Sequence, residues 1–159
     1  MSEPKTSKEH QVYIGIGSNI SPEANVRRAI ALLRKEVNVE AISTIWESPP
    51  AGGSGPNFLN AAILIRTVLD EEDLRNQVLR RIESQLGRIR TADQNAPRTI
   101  DLDILIFNGR VVDEEIWLRA YLAQPLSELV PDLSHPQNGE TLRQIAERLV
   151  VSAPIKRRL

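Results

Sequence analysis

Strand-like and helix-like periodicities alternate along this chain in one order, and that order limits the fold more than any other feature. Residues 12–16 (VYIGI) are a β-branched and aromatic run that stops at the turn signal Gly17-Ser18-Asn19. Ser21, Pro22 and Glu23 mark a helix start, with Ser at the cap and Pro in the first turn. Val26, Ala29, Ile30, Leu33 and Val37 then recur at helical spacing, which predicts a helix to about Lys35. Residues 39–46 and 58–68 read as strands. Asp70 opens a second helix predicted to reach Gly87, with acidic residues in its first turn and Leu74, Val78, Leu79, Ile82 and Leu86 on one face. Residues 99–107 (TIDLDILIF) form a fourth strand, followed by Asn108-Gly109, a tight-turn pair. The order β-α-β-β-α-β predicts an α+β fold, a ferredoxin-like (split β-α-β) sandwich of helices packed on an antiparallel sheet. After it, residues 118–133 are predicted partly helical, and 139–150 carry Leu142, Ile145, Ala146 and Leu149 on a last helical face.

Two segments fit no element. Residues 48–57 (SPPAGGSGPN) are too rich in Pro and Gly for a helix or a central strand, and residues 88–98 are polar with Asn95 and Pro97. Loops of this length inside a compact domain usually serve function. Residues 1–11 are polar and of mixed charge, predicted as a flexible tail, which leaves 12–159 as a single domain. With 20 basic and 21 acidic residues the net charge is −1, unlike the basic excess of a generic nucleic-acid binder. Cysteine is absent, which excludes a disulfide scaffold, a thiol nucleophile and any Cys-ligated metal site. The longest apolar run, residues 61–65, is far short of the roughly 20 residues of a membrane helix. The start of the chain has no apolar signal-peptide core. A cytoplasmic protein without membrane or nucleic-acid partners is expected.

The sharpest chemical feature is Asp101-Leu102-Asp103. Alternation along a strand points both carboxylates one way and Ile100, Leu102 and Ile104 the other, into a core. Carboxylates about 7 Å apart on one face repel unless a cation lies between them. Mg²⁺ takes one or two carboxylates together with substrate phosphates; the alternative is a pair of solvated or Arg-paired acids. Arg88, Arg90 and Arg98 lie close in sequence, and guanidinium forks match phosphate oxygens. Together these suit phosphoryl transfer, which is mostly positioning and charge neutralisation. No P-loop is present, and Gly15-Ile16-Gly17 lacks the third glycine of a dinucleotide fingerprint. His135, before Pro136, reads as a surface residue, and no Ser-His-Asp set can be assembled.

The motifs YIGIGSNI (13–20), ESPPAG (47–52), NFLNAA (57–62), GRIR (87–90) and APRTIDLDILIF (96–107) are together highly specific. They resemble the 6-hydroxymethyl-7,8-dihydropterin pyrophosphokinase family over most of the chain, about 12–149. The resemblance implies an Mg²⁺-dependent enzyme of folate biosynthesis that moves diphosphate from ATP to a reduced pterin alcohol and releases AMP. It implies that Asp101 and Asp103 hold two Mg²⁺ ions, and that Arg88, Arg98 and Arg119 are the catalytic arginines. Glu83, Arg90 and Ile104 would line the ATP site. Ser48, Ala51, Phe58, Asn60 and Tyr121 would form the pterin pocket, where aromatic faces suit stacking and an amide offers donor and acceptor together. The chain departs from the family after the DLD strand: residues 111–119 are several positions shorter and lack a histidine, and Asn95 stands where the family often has Trp. Weaker ATP binding and slower turnover are the expectation, since lid closure completes such sites. A monomer is expected. The alternative is a catalytically impaired pterin- or nucleotide-binding relative with a regulatory role; an RNA-binding module is disfavoured by the lack of exposed aromatic pairs on the strands.

Overall fold

The computed structural model describes residues 8–50, 52–53, 55–89, 92, 97–153 and 155–158. Its strands are β1 (His10–Ser18), β2 (Asn38–Ile42), β3 (Trp46–Ser48), β4 (Phe58–Thr67), β5 (Asp101–Phe107), β6 (Arg110–Val111) and β7 (Lys156–Arg157). They form one sheet in the order β6-β5-β1-β4-β3-β7, with β2 also on β4, and all pairs are antiparallel. The helices are α1 (Pro22–Glu36), α2 (Glu71–Asp73), a π-helical segment (Leu74–Leu79), α3 (Arg80–Gln85), α4 (Ala120–Leu129) and α5 (Leu142–Ser152).

Alternation on the central strands explains the layering. Val12, Ile14 and Ile16 of β1, Ile63 and Ile65 of β4, and Leu102 and Ile104 of β5 face one side. There they meet Val26, Ala29 and Leu33 of α1 and Leu74, Val78, Leu79 and Ile82 of the second helical stretch. Tyr13, Ala62, Leu105 and Ile106 face the other side, under Ala123 and Leu126 of α4 and Leu142, Ile145 and Ala146 of α5. The β1–β5 register shifts between Tyr13 and Ile14, so Leu105 and Ile106 both turn to the second face. The result is the ferredoxin-like sandwich expected from the element order.

Several boundaries differ from the sequence reading. β1 begins at His10, inside the stretch read as a tail. Residues 39–46 are two strands, β2 and β3, because the chain turns at Ser43 and Thr44. The Ser43 hydroxyl accepts the Ala62 N–H at 2.8 Å, and Glu128 of α4 accepts from the Thr44 N–H and hydroxyl. Ser21 precedes α1 as expected but makes no side-chain cap; its backbone is left-handed (φ 40°), and Asn25 Nδ2 instead bonds the Ile20 carbonyl at 2.6 Å. The stretch from Asp70, whose side chain accepts the Asp73 N–H at 2.8 Å, is helical to Gln85 but π-helical in the middle. Asn108-Gly109 turns as expected, both residues at positive φ (50° and 81°), and joins β5 to β6. α5 starts at Leu142 behind a Thr141–Gln144 capping box. β7 was not foreseen. Among the described residues no helix is long and apolar enough to cross a membrane.

Candidate active site

On the second face of the sheet, toward the end of β1, the apolar cluster gives way to Gly17, Asn60, Asp101 and Asp103. The register sets them side by side: Gly17 lies opposite Asn60 on β4 and opposite Asp101 on β5, and Gly15 opposite Asp103. A Cβ on Gly15 would press on Leu105 at 3.2 Å; one on Gly17 would sit 3.5 Å from Asn60 Oδ1 and 3.8 Å from the Phe58 ring. Glycine at 17 keeps the middle strand low between Asn60 and Asp101, and glycine at 15 leaves room for Leu105.

The acidic half is cross-braced. Arg98 Nη1 donates to Asp101 Oδ2 at 3.1 Å, and its guanidinium lies 5.8 Å from the Phe58 centroid. Arg80 Nη2 stands 3.7 Å from Asp103 Oδ1. Arg80 Nη1 donates to the Leu102 carbonyl at 2.9 Å and to Glu83 Oε2 at 3.0 Å. Glu83, 2% exposed, also accepts the Leu102 N–H at 2.7 Å. α3 therefore clamps β5 through one carboxylate and one guanidinium. Burial, then the charge of Asp101, push the Asp103 carboxyl up to about 7, against the lowering influence of Arg80. Its side chain still keeps 45% of its area open to solvent. Two carboxylates held this close, one of them reluctant to ionise, fit a hard divalent cation that would replace the proton. Among the described residues no group of three His, Cys, Asp or Glu forms a metal cage.

The neutral half is built on β3 and β4. Asn60, 6% exposed, donates from Nδ2 to Ser48 Oγ at 2.7 Å and to the Trp46 carbonyl at 3.3 Å, which turns Oδ1 over Gly17. Ser48 is itself buried. Tyr121 sits half-buried in the first turn of α4; burial pushes its hydroxyl up, while the charges of Arg119 and Arg98 pull the other way.

The structure thus gathers Ser48, Phe58, Asn60, Arg98, Asp101, Asp103 and Tyr121 around one end of the sheet. Arg119 is the residue before α4, exposed, with Nε donating to Glu115 Oε2 at 2.7 Å. Arg88 follows the positive-φ Gly87 and donates from Nη1 to the Ile89 carbonyl at 2.7 Å. Two expected nucleotide residues stand differently from an open lining. The Ile104 side chain is 4% exposed in the first-face core, and Glu83 spends its carboxylate on Leu102 and Arg80. Because Leu102 turns its main chain away from β1 toward α3, alternation turns the Ile104 main chain to the same edge. Ala51, Arg90 and Asn95 lie outside the described residues. His135 packs on Trp117 (centroids 4.9 Å apart). Sequence reasoning missed Arg80 and Asn19. The signal for Arg80 was available: it stands one turn before Glu83, beside the core positions Leu79 and Ile82 that face β5.

A family model described as 7,8-dihydro-6-hydroxymethylpterin-pyrophosphokinase (HPPK) matches residues 13–131. A Synechocystis protein named 2-amino-4-hydroxy-6-hydroxymethyldihydropteridine pyrophosphokinase is 31% identical over 155 residues, covering 91% of this chain and 78% of that protein. One of the same name from Methylorubrum extorquens is 36% identical over 151 residues, covering 87% and 93%. A solved Plasmodium falciparum HPPK-DHPS structure with pteroate superposes with a TM-score of 0.73 at 12% identity, over 93% of this chain. That likeness concerns the fold, and this chain spans only 44% of the Plasmodium one. The matches run through both halves of the site, and the chain belongs to the 7,8-dihydro-6-hydroxymethylpterin-pyrophosphokinase family.

Proposed function

We propose that this protein transfers diphosphate from ATP to the hydroxymethyl oxygen of 6-hydroxymethyl-7,8-dihydropterin in folate biosynthesis, with AMP as leaving group. The observation that carries the reading is the Asp101–Asp103 pair, braced by Arg98 and Arg80, next to the Asn60–Ser48 amide–hydroxyl pair on the same sheet end. Asp101 and Asp103 would hold magnesium, two ions on the family pattern, whose part is to neutralise triphosphate charge. Arg88, Arg98 and Arg119 bring guanidinium groups to the phosphates, with Arg119 exchanging its Glu115 partner for phosphate oxygens at the start of α4. The Ile104 main chain, with Arg90, would meet the nucleotide along the open edge of β5, and Glu83 keeps that edge straight. Ser48 and Asn60 read the polar rim of the pterin, Phe58 and Tyr121 offer aromatic faces, and the family pattern adds Ala51 to the pocket. The pterin oxygen attacks the β-phosphorus in line, the bond to the α-phosphate oxygen breaks, and no protein nucleophile takes part.

The short segment between β6 and α4 spends Ile116 and Trp117 on the second-face core. It therefore offers the nucleotide less side-chain surface, and a raised KM for ATP with a lowered kcat goes with the reading. So does a cytoplasmic, monomeric enzyme without nucleic-acid or membrane partners. The test is product analysis with ATP, Mg²⁺ and 6-hydroxymethyl-7,8-dihydropterin. AMP and pterin diphosphate should form one for one; ADP release, or AMP release independent of pterin, would defeat the proposal.

A further inference from the structure

Asn19 closes a ring of contacts around the site without facing any substrate position. It is 3% exposed at the end of β1. Its Oδ1 accepts the Arg98 N–H at 2.7 Å, and its own N–H donates to the Arg98 carbonyl at 3.1 Å. The other end of the same amide, Nδ2, donates to the Pro56 carbonyl at 3.2 Å. Pro56 leads directly into Asn57 and Phe58, and the Phe58 ring takes the Arg98 guanidinium on its face. Arg98 in turn holds Asp101. One buried side chain therefore fixes two loops that are distant in sequence: the end of the Pro- and Gly-rich loop, which carries Phe58, and the end of the arginine loop, which carries Arg98. Ser18 adds a second tie on the arginine side, its hydroxyl donating to the Thr99 carbonyl at 2.6 Å.

The chemistry of this position is narrow. It needs an acceptor for Arg98 and a donor for Pro56 on one short side chain; an amide supplies them on two separate atoms, a carboxylate has no donor, and a hydroxyl offers both only from a single atom. Aspartate would keep the Arg98 bond but oppose a carboxylate oxygen to the Pro56 carbonyl.

We propose that Asn19 is a positioning residue that sets the spacing between the pterin-side loop and the arginine loop, so that the acceptor oxygen and the phosphates meet at a fixed distance. This rests on the functional reading above. It predicts a split between variants. Asn19→Asp should raise KM for the pterin roughly ten- to a hundredfold, with KM for ATP within about twofold of the parent, since leaving a hydrogen-bond partner unsatisfied carries penalties of that size. Asn19→Ala, which also removes the side-chain acceptor of the Arg98 N–H, should lower kcat as well. A merely structural role would reduce the active fraction and leave both KM values alone; that result, or an unchanged pterin KM in Asn19→Asp, would overturn the inference. Should the variants fail to fold, hydrogen exchange on the parent protein decides. A non-hydrolysable ATP analogue with Mg²⁺ should slow exchange in peptides covering residues 55–60, across the Asn19 bridge, and no change there would overturn it. If the parent forms no AMP with pterin, the functional reading fails; if the parent is active and the Asn19 variants are normal, only this inference fails.

Discussion

The two faces of the sheet use the same strands and end differently. On the first face Val12, Ile14, Ile16, Ile63, Ile65, Leu102 and Ile104 meet α1 and the second helical stretch in one continuous apolar layer. On the second face the layer under α4 and α5 stops at Tyr13, Ala62 and Leu105, and the next positions are Gly17, Asn60, Asp101 and Asp103. Adjacent residues of β5 therefore do opposite work: Leu102 is wholly buried, while the acids on either side face the site. A strand whose one face is closed by a helix can carry charge on the other without losing its place in the sheet.

Breaking this contrast on the site face should give the largest effect. Asp103→Asn is expected to lower turnover well over about a hundredfold, because losing even an outer partner of a metal ligand costs about 10–100-fold. Thermal stability of the metal-free variant should match or exceed the parent, since a repelled carboxylate is removed. Retained turnover, or a cooperative loss of fold, would dissolve the distinction between the faces. The mirror experiment on the next residue is Leu102→Ala, which should cost about 2–5 kcal/mol in denaturant melts through the cavity it leaves, with the remaining folded enzyme close to normal per molecule.

The pH dependence of the metal-free protein sharpens the contrast. Asp103 ordinarily titrates at 3.8 and is held at about 7 here. Between those values the folded chain keeps a proton that the unfolded chain has released, so stability is fully present below about pH 4 and is lost as pH rises through 7. The groups around it are Asp101 and Glu83, which raise the value, and Arg80, which lowers it. With 45% of the side chain open to water, screening trims the effect to about 1 kcal/mol, or roughly 3 °C in a melt. Melts in chelator at pH 5 and 7.5 should show this downward slope; Asp103→Asn should flatten it. A slope of the opposite sign would mean that the carboxyl is stabilised as an anion.

Legibility followed local pattern. The element order, the Asn108-Gly109 turn and the shared face of Asp101 and Asp103 depend on near neighbours, and periodicity alone exposes them. The break after Ile42 does not: it is made by the Ala62 N–H on β4 and by Glu128 of α4, which lies 84 residues beyond its partner Thr44. The family resemblance assigns Glu83 to the nucleotide site, and its carboxylate also accepts the Leu102 N–H, a partner that no spacing rule brings into view. Ser21 carried the right residue for a cap, but its left-handed backbone points the hydroxyl elsewhere. Asn19 was readable only as part of a turn, because its two partners, Pro56 and Arg98, sit in segments without periodicity.

The smallest expected effect lies at the outer edge of the sheet. Arg158, just past β7, pairs with Glu23 at 2.8 Å and with Glu47 at 3.2 Å, which resembles on paper the Arg98–Asp101 pair of the site. The environments differ: side-chain exposure is 45% for Arg158 against 17% for Arg98. Solvent screens the outer pairs, and such contacts are worth about 0–1 kcal/mol. β7 is held on β3 chiefly by main chain, since the Arg158 N–H donates to the Ile45 carbonyl at 2.7 Å and Lys156 and Arg157 lie in register with Glu47 and Trp46. Arg158→Ala keeps all of those bonds. It should therefore shift the melting midpoint by no more than about 3 °C and leave kcat and both KM values unchanged. A larger loss would show that charge, not the ladder, seats the C-terminal strand, and that Glu47 depends on Arg158 to hold Asn57 across the base of the Pro- and Gly-rich loop.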